Sequence, residues 1–247
     1  MIIPHDTAIY SVLKWGYQPI KLFVNLYQEL LEIPRRKSKI YNYFAREGFK
    51  GLHVGCGPVY YSDWLNTDTF YGKNPKIDFR LDITNQLPFY SNTLDAVYGE
   101  EVIEHISRES MRKFIREVYR ILRPGGIFRF TTPDVTEVYR LFLELREDVT
   151  VEDYRAGWLD GEFSKEIWIN AIFRSWGHQF IWSFDSLQNE LIQVGFSDVW
   201  QNEPRKTQSN IAQLTNLEQR HKKYHDCQTL PPQVYAFTLI VEAQKSM

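Results

Sequence analysis

Four places in this sequence hold residue types at a spacing that suits chemistry. Gly55-Cys56-Gly57 closes an apolar run, Leu52-His53-Val54. Two glycines around one small residue let the backbone turn sharply, and let a ligand approach the main chain with no Cβ in the way. Asp68 ends a second apolar segment, Trp64 to Thr67. A carboxylate just past the neighbouring strand suits the paired hydroxyls of a ribose. Asp82-Ile83 closes a third segment, and Gly99-Glu100-Glu101 a fourth. A dinucleotide fingerprint would add a third glycine and a full helix whose N-terminus meets a pyrophosphate. Here Gly57 is followed by Pro58, Val59, Tyr60 and Tyr61, and only residues 55–63 separate the first two segments. That is too short for a helical crossover, which argues against a diphosphate and for a nucleoside without phosphates. Taken alone, Gly-x-Gly is equally a plain strand-to-loop turn.

The elements that must position these residues follow from apolar patterning. Strands are expected at 52–54, 64–67, 77–81, 94–98, 127–132, 197–201 and 236–243. Helices are expected over Lys39–Glu47, Val102–Leu122 (ended by Arg123-Pro124-Gly125-Gly126), Val135–Arg146 and Ser186–Val194. Residues 8–32 carry near-helical apolar spacing, broken near Gly16 and Pro19, and Arg35-Arg36-Lys37-Ser38-Lys39 reads as a solvated basic face. Strands alternating with helices imply a doubly wound α/β sheet with ligands outside the carboxyl ends of its strands. One pocket there would collect all four features. Domain limits follow: an N-terminal helical segment over 1–47 and a domain over 48–245, with insertions at about 148–182 and 202–233.

Composition narrows the class. The 247 residues are 43% hydrophobic and 24% charged, as in soluble globular proteins. A net charge of -2 gives no broad electrostatic footprint for nucleic acid. Cys56 and Cys227 make neither a disulfide framework nor a zinc pattern, so a reducing, cytoplasmic setting is expected. No signal peptide and no run of membrane-spanning length is present in the sequence.

At these residues the sequence resembles the class I S-adenosylmethionine-dependent methyltransferases, in their type-11 branch. LHVGCG resembles the first motif, LPFYSNTLDAVYGEEVIEHI the branch's LPF…D.V…EHI segment, and LRPGG with the following strand the next landmark. GHQFIWSFDSLQNELIQVGFSDV is similar to the C-terminal piece. The likeness spans roughly Lys50 to Trp200 plus the final strand. It implies a Rossmann-like methyltransferase fold, a mostly parallel seven-stranded sheet with the last strand antiparallel. It implies S-adenosylmethionine as cofactor and a small-molecule acceptor with an oxygen or nitrogen nucleophile. Cofactor contacts are implied at Gly55, Cys56 and Gly57 for the methionine part, Asp68 for the ribose, Asp82 and Ile83 beside the adenine, and Gly99. The near absence of a helix after GCG, and Glu100 and Glu101 where a small residue and His are common, depart from the pattern. A binding protein without catalysis is the competing reading from another class, and a nicotinamide oxidoreductase is disfavoured by the missing third glycine.

Roles on the acceptor side carry two readings each. Glu100 and Glu101 would face the sulfonium or the methionine amino group, or take a proton from the acceptor; alternatively they are acids in a helix first turn. His178 is a base lining the pocket or a hydrogen-bonded structural residue. His105, beside Glu104, pins helix to loop or, as the less favoured reading, is catalytic. His53 and Cys56 are packing residues, and Asp134 could reach the cleft but is explained by a helix cap. His221 and His225, at i, i+4, suit a metal or a solvated helix; with no partner ligand in view the solvated helix is favoured and no metal site is expected. Trp158, Trp168, Trp176 and Trp182 read as core material or as an aromatic lid over the acceptor, with the lid slightly favoured by their place near the pocket mouth.

Overall fold

Short apolar runs become parallel neighbours in the computed structural model, which describes residues 32–70, 76–143, 164–219 and 237–247. The strands are β1 (Gly51–Val54), β2 (Trp64–Asp68), β3 (Phe79–Arg80), β4 (Leu94–Glu100), β5 (Leu122–Pro133), β6 (Phe196–Gln201) and β7 (Thr238–Lys245). Their spatial order is β3-β2-β1-β4-β5-β7-β6. The pairs from β3 through β5 are parallel, and β7 runs antiparallel to both β5 and β6. The sheet is therefore the seven-stranded, mostly parallel one expected, with the last strand reversed. β1 lies between β2 and β4, so the order of connection reverses beside it. In open α/β sheets that reversal opens a crevice at the strands' carboxyl ends.

The chain divides into two units, Met1–Arg46 and Glu47–Met247. In the first, residues 32–44 form helix α1. In the second, α2 (Arg108–Ile121) buries Met111, Phe114, Ile115, Val118 and Ile121, one stripe at helical spacing. Ser107 caps it by accepting from the Ser110 N–H. α3 (Val135–Phe142) is capped by Asp134, as expected. α4 (Lys165–Arg174) follows residues 144–163, which lie outside the described part. α5 (Phe184–Val194) opens on a Ser183–Ser186 capping box and ends on left-handed Gly195. No helix among the described residues is long and apolar enough to cross a membrane.

Alternation along β5 sends Phe128 toward Phe114 of α2, and Ile127 and Arg129 to the other face. That second face holds Trp64, Ala96, Tyr98, Ile127, Leu214 and Leu217. Leu214 and Leu217 come from a stretch whose one helical turn is the short 3-10 piece Ala212–Leu214. Among the described residues, this face takes cover from a stretch without an α-helix. Arg129, fully buried, holds the cover in place. It donates to Glu218 at 2.8 Å, to Glu242 at 2.5 Å and to the Lys206 carbonyl at 2.7 Å. The Tyr98 hydroxyl accepts from the Glu218 N–H at 2.9 Å. Burial above all, helped by nearby Glu100 and Glu218, pushes the Tyr98 phenol well above its ordinary pKa.

Several boundaries differ from expectation for physical reasons. Val102 to Ile106 does not open α2; it forms a 3-10 turn, Ile103–His105, and the helix waits for the Ser107 cap. Arg123 to Gly126 is taken into β5, with an irregular register against Leu94 and Ala96. The strand expected at 77–81 is paired only at Phe79–Arg80. Trp168 and Trp182 are fully buried, and Trp168 sits in a core with Val138, Leu141, Ile172 and Phe237. For these two the lid reading gives way to core material. Trp158, His221 and His225 lie outside the described residues.

Candidate functional site

The Gly55-Cys56-Gly57 turn forms where β1 stops pairing. Gly55 has φ +57° and Gly57 φ +51°, a region that disfavours any Cβ. A Cβ on Gly55 would also lie 2.4 Å from Val102 Cγ2, so space as well as backbone requires glycine there. The turn is tied to β2 by Cys56 N–H donating to the Thr67 carbonyl at 3.0 Å. Cys56 is buried, at 1% exposed, as the packing reading expected. No helix follows between Gly57 and Trp64.

Asp68 reaches back across this turn. Its Oδ2 accepts the Gly57 N–H at 2.9 Å. Its Oδ1 makes contacts of only 3.4 Å with the Thr69 hydroxyl and the Phe70 N–H. One oxygen thus fixes the carboxylate and the other keeps acceptor capacity for a ligand hydroxyl. Asp82, by contrast, organises its own loop. Its Oδ1 accepts from Thr84 N–H at 2.9 Å and the Thr84 hydroxyl at 2.7 Å, and its Oδ2 accepts from Asn85 Nδ2 at 3.0 Å. Ile83 beside it is buried. The pair shapes a loop at the carboxyl end of β3, rather than presenting an open edge.

Gly99 is interior to β4, with Val54 Cγ2 only 3.0 Å from where its Cβ would be. Glu100 is the last residue of β4, paired in register with Thr131 and 2% exposed. Glu101 turns away in a left-handed conformation, φ +54°. Its N–H donates to the Thr131 carbonyl (3.2 Å) and hydroxyl (3.1 Å), and its Oε1 accepts from that hydroxyl at 3.0 Å. Neither acid therefore occupies a helix first turn. The dipole reading is replaced by two carboxylates placed at the ends of β4 and β5.

The structure brings His178 to Glu104 and His105. Gln179 N–H donates to the Glu104 carbonyl at 2.7 Å, Phe180 N–H to the same oxygen at 3.2 Å, and Gln179 Nε2 to the His105 carbonyl at 2.7 Å. The two imidazole centroids then lie 4.9 Å apart at 68°. Glu104 is fully buried, and its Oε2 accepts from the Thr132 hydroxyl at 3.1 Å. His178 Nδ1 is 2.6 Å from the Ile172 carbonyl, so that nitrogen carries the proton. Burial pulls the His178 pKa below its ordinary value, against the opposing effect of the hydrogen bond it donates to the Ile172 carbonyl. Sequence reasoning treated Glu104 and His105 as local fasteners. The only signal for their meeting with His178 was a Gly-His step far along the chain. His53 is a core residue as expected, with Nδ1 3.1 Å from Asn66 Oδ1. Burial raises the Asp134 pKa while the Thr136 N–H it caps works the other way. A groove of about 470 Å³ along α2 and α5 is lined by Arg112, Arg116, Glu190, Gln193 and Val194 and by no residue of the glycine turn.

Comparison with known proteins bears on this site. Residues 52–130 match the model of a family described as Methyltransferase domain. A protein of Mycolicibacterium smegmatis described as a probable S-adenosylmethionine-dependent methyltransferase is 28% identical over 117 residues, 40% of this chain and 45% of that protein. The chain thus spans less than half the length of the curated relative it matches. Among solved structures, a chain from a Haloferax volcanii complex containing the Trm112 methyltransferase activator is 16% identical, covering 85% of this chain and 89% of its own, with TM-score 0.48. A SAM dependent methyltransferase from Archaeoglobus fulgidus is 12% identical over 87% of this chain and 94% of its own, with TM-score 0.46. The resemblance to the type-11 branch holds over the segment that carries the glycine turn, Asp68, Asp82 and Gly99 to Glu101.

Proposed function

We propose that this protein transfers a methyl group from S-adenosylmethionine to a small-molecule acceptor through an oxygen or nitrogen nucleophile. The observation that supports this most is the Gly57 N–H held at 2.9 Å by Asp68, in a helix-free turn at the reversal of strand order. Such a turn offers backbone to an amino-acid tail and a carboxylate to a ribose, and offers no helix N-terminus to a diphosphate. The matching family segment and the relative's description point the same way.

The residues fit the cofactor. Gly55 and Gly57 leave the turn without side chains, and Asp68 Oδ1 has capacity for a hydroxyl. S-adenosylmethionine supplies a methyl carbon already activated by a positive sulfur, so the protein's tasks are positioning and exclusion of water. In this reading Gly55, Cys56 and Gly57 lie along the methionine part and Asp68 holds the ribose. The loop shaped by Asp82 and Ile83 borders the adenine, and Gly99 keeps β4 close to β1. Glu100 and Glu101 set the charge beside the sulfonium, and His178 stands on the acceptor side. A net charge of -2 disfavours nucleic acid as acceptor. The cytoplasm is the proposed location.

Thermal-shift titration tests the cofactor step. S-adenosylmethionine and S-adenosylhomocysteine should each raise Tm and NAD should not; Asp68→Ala should lose most of the shift. An undiminished shift in Asp68→Ala removes that residue from the site. Release of S-adenosylhomocysteine in an acceptor screen separates an enzyme from a protein that only binds the cofactor.

A further inference from the structure

We infer that Glu104, His105 and His178 form a binding site for a first-row divalent cation of the zinc or iron(II) type. One ligand atom from each residue lies within 4.8 Å of the other two. Glu104 Oε1 and His105 Nε2 are already 3.7 Å apart. Around an ion with bonds of about 2.0–2.1 Å, tetrahedral ligands stand roughly 3.3 Å from one another, so modest side-chain rotation closes the set. Two imidazoles and one carboxylate suit zinc, iron(II) or manganese, and do not suit magnesium or calcium, which take oxygen shells. Three protein donors leave positions open for an exogenous oxygen.

The surroundings resemble those of a ligand set rather than of a simple ion pair. A histidine–carboxylate pair needs one imidazole, and here two converge on one fully buried carboxylate. Each end of the set has its own orienting partner: the Thr132 hydroxyl on Glu104 Oε2, and the Ile172 carbonyl on His178 Nδ1. Outer partners of this kind fix the tautomer and aim the remaining donor atom, which for His178 is Nε2. Hydrogen bonds from the Gln179 and Phe180 main chain and the Gln179 side chain hold the two halves of the set together independently of any ion.

Glu104 stands just past the end of β4 and Thr132 near the end of β5, beside the strand that carries Gly99 and Glu100. Resting on the methyl-transfer reading, the site narrows the acceptor class to a hydroxyl compound whose oxygen takes an open position on the ion. Coordination releases the hydroxyl proton to solvent. The oxygen lone pair then forms a C–O bond to the methyl carbon as the C–S bond breaks, and the departing electron pair turns the sulfonium into a neutral thioether.

Chelator-stripped full-length protein titrated with Co²⁺ tests metal binding directly. One equivalent should produce visible d–d absorption that Zn²⁺ abolishes by competition. His178→Ala and His105→Gln, each checked for folding by circular dichroism, should lose the signal. Thr132→Val should keep it with affinity weakened about 10–100-fold. Absence of a saturable signal in folded wild type, or its survival in both histidine variants, overturns the site. Cobalt binding without any S-adenosylhomocysteine thermal shift would instead sink the methyl-transfer reading and leave the metal site standing. With both present, added Zn²⁺, Fe²⁺ or Mn²⁺ should raise turnover of hydroxyl acceptors; turnover of amines alone, unmoved by metal, overturns the acceptor class.

Discussion

Asp68 accepting the Gly57 N–H shows what a single residue contributes, because one side chain joins two strand ends that share no covalent neighbour. Gly55 is the complementary case, where the absence of a side chain is the contribution. Its φ of +57° and the 2.4 Å approach of Val102 to a hypothetical Cβ make Gly55→Ala costly twice over. The left-handed conformation alone costs about 1–3 kcal/mol for a non-glycine residue. Urea unfolding of Gly55→Ala should show at least that loss, together with a weakened S-adenosylhomocysteine shift. At this scale the glycine turn and the carboxylate beside it were legible in sequence, because both are local patterns. The Glu104–His105–His178 set was not. Gln179 and His105, whose hydrogen bond helps close it, are 74 residues apart, and no periodicity encodes their meeting.

Among elements, the junction of α2 with α5 is fixed by one buried acid between two arginines. Glu190 Oε1 accepts from Arg108 Nη2 at 2.8 Å, and Arg112 Nε donates to Glu190 Oε2 at 2.8 Å. The Arg112 hydrogen bond, with that of Arg108, holds the Glu190 carboxyl below its ordinary pKa despite its burial. A carboxyl whose pKa is lowered by folding stabilises the protein above its unfolded value, about 4.3, and loses that contribution as pH falls through the folded value. Glu190→Gln should therefore lower stability at pH 7 by roughly 1 kcal/mol, since half-exposed guanidiniums are screened by water. The gap between variant and wild type in pH-dependent thermal melts should close below about pH 4. A gap that persists at low pH would mean that shape, not charge, makes the junction. The helices themselves were readable from their apolar stripes, but the start of α2 was not. Val102 and Ile103 continue the apolar pattern backward, yet one packs on Gly55 and the other is buried within a 3-10 turn. Tertiary demand there overrides periodicity.

For the whole molecule, the buried Arg129 joins the sheet to its cover by reaching Glu218 and Glu242, all three at 0% exposure. Removing the cation strands two carboxylates in the interior, a loss of about 3–5 kcal/mol. Arg129→Met should show that drop in chemical denaturation, and adding Glu218→Gln and Glu242→Gln should restore much of it. If Arg129→Met unfolds at the wild-type midpoint, the triad does not hold the cover. The strands and their doubly wound class were legible because they are short apolar runs between turn residues; the reversed last strand came only with the family resemblance, and the order of the strands was not legible. The cover was not, since Asn202 to Glu218 is polar and is held by side-chain and main-chain contacts to Arg129 and Tyr98, not by an apolar period of its own.

β7 lies between β5 and β6 although it is the last strand in sequence. On the ribosome, β5 can pair only with β4, and β6 has no partner in the sheet, until residues 238–245 have emerged; Arg129 waits equally long for Glu242. Until then the nascent chain carries two bare strand margins, which invites chaperones and mispairing with other chains. Completion of this sheet waits on a single insertion, that of β7 between two strands made before it.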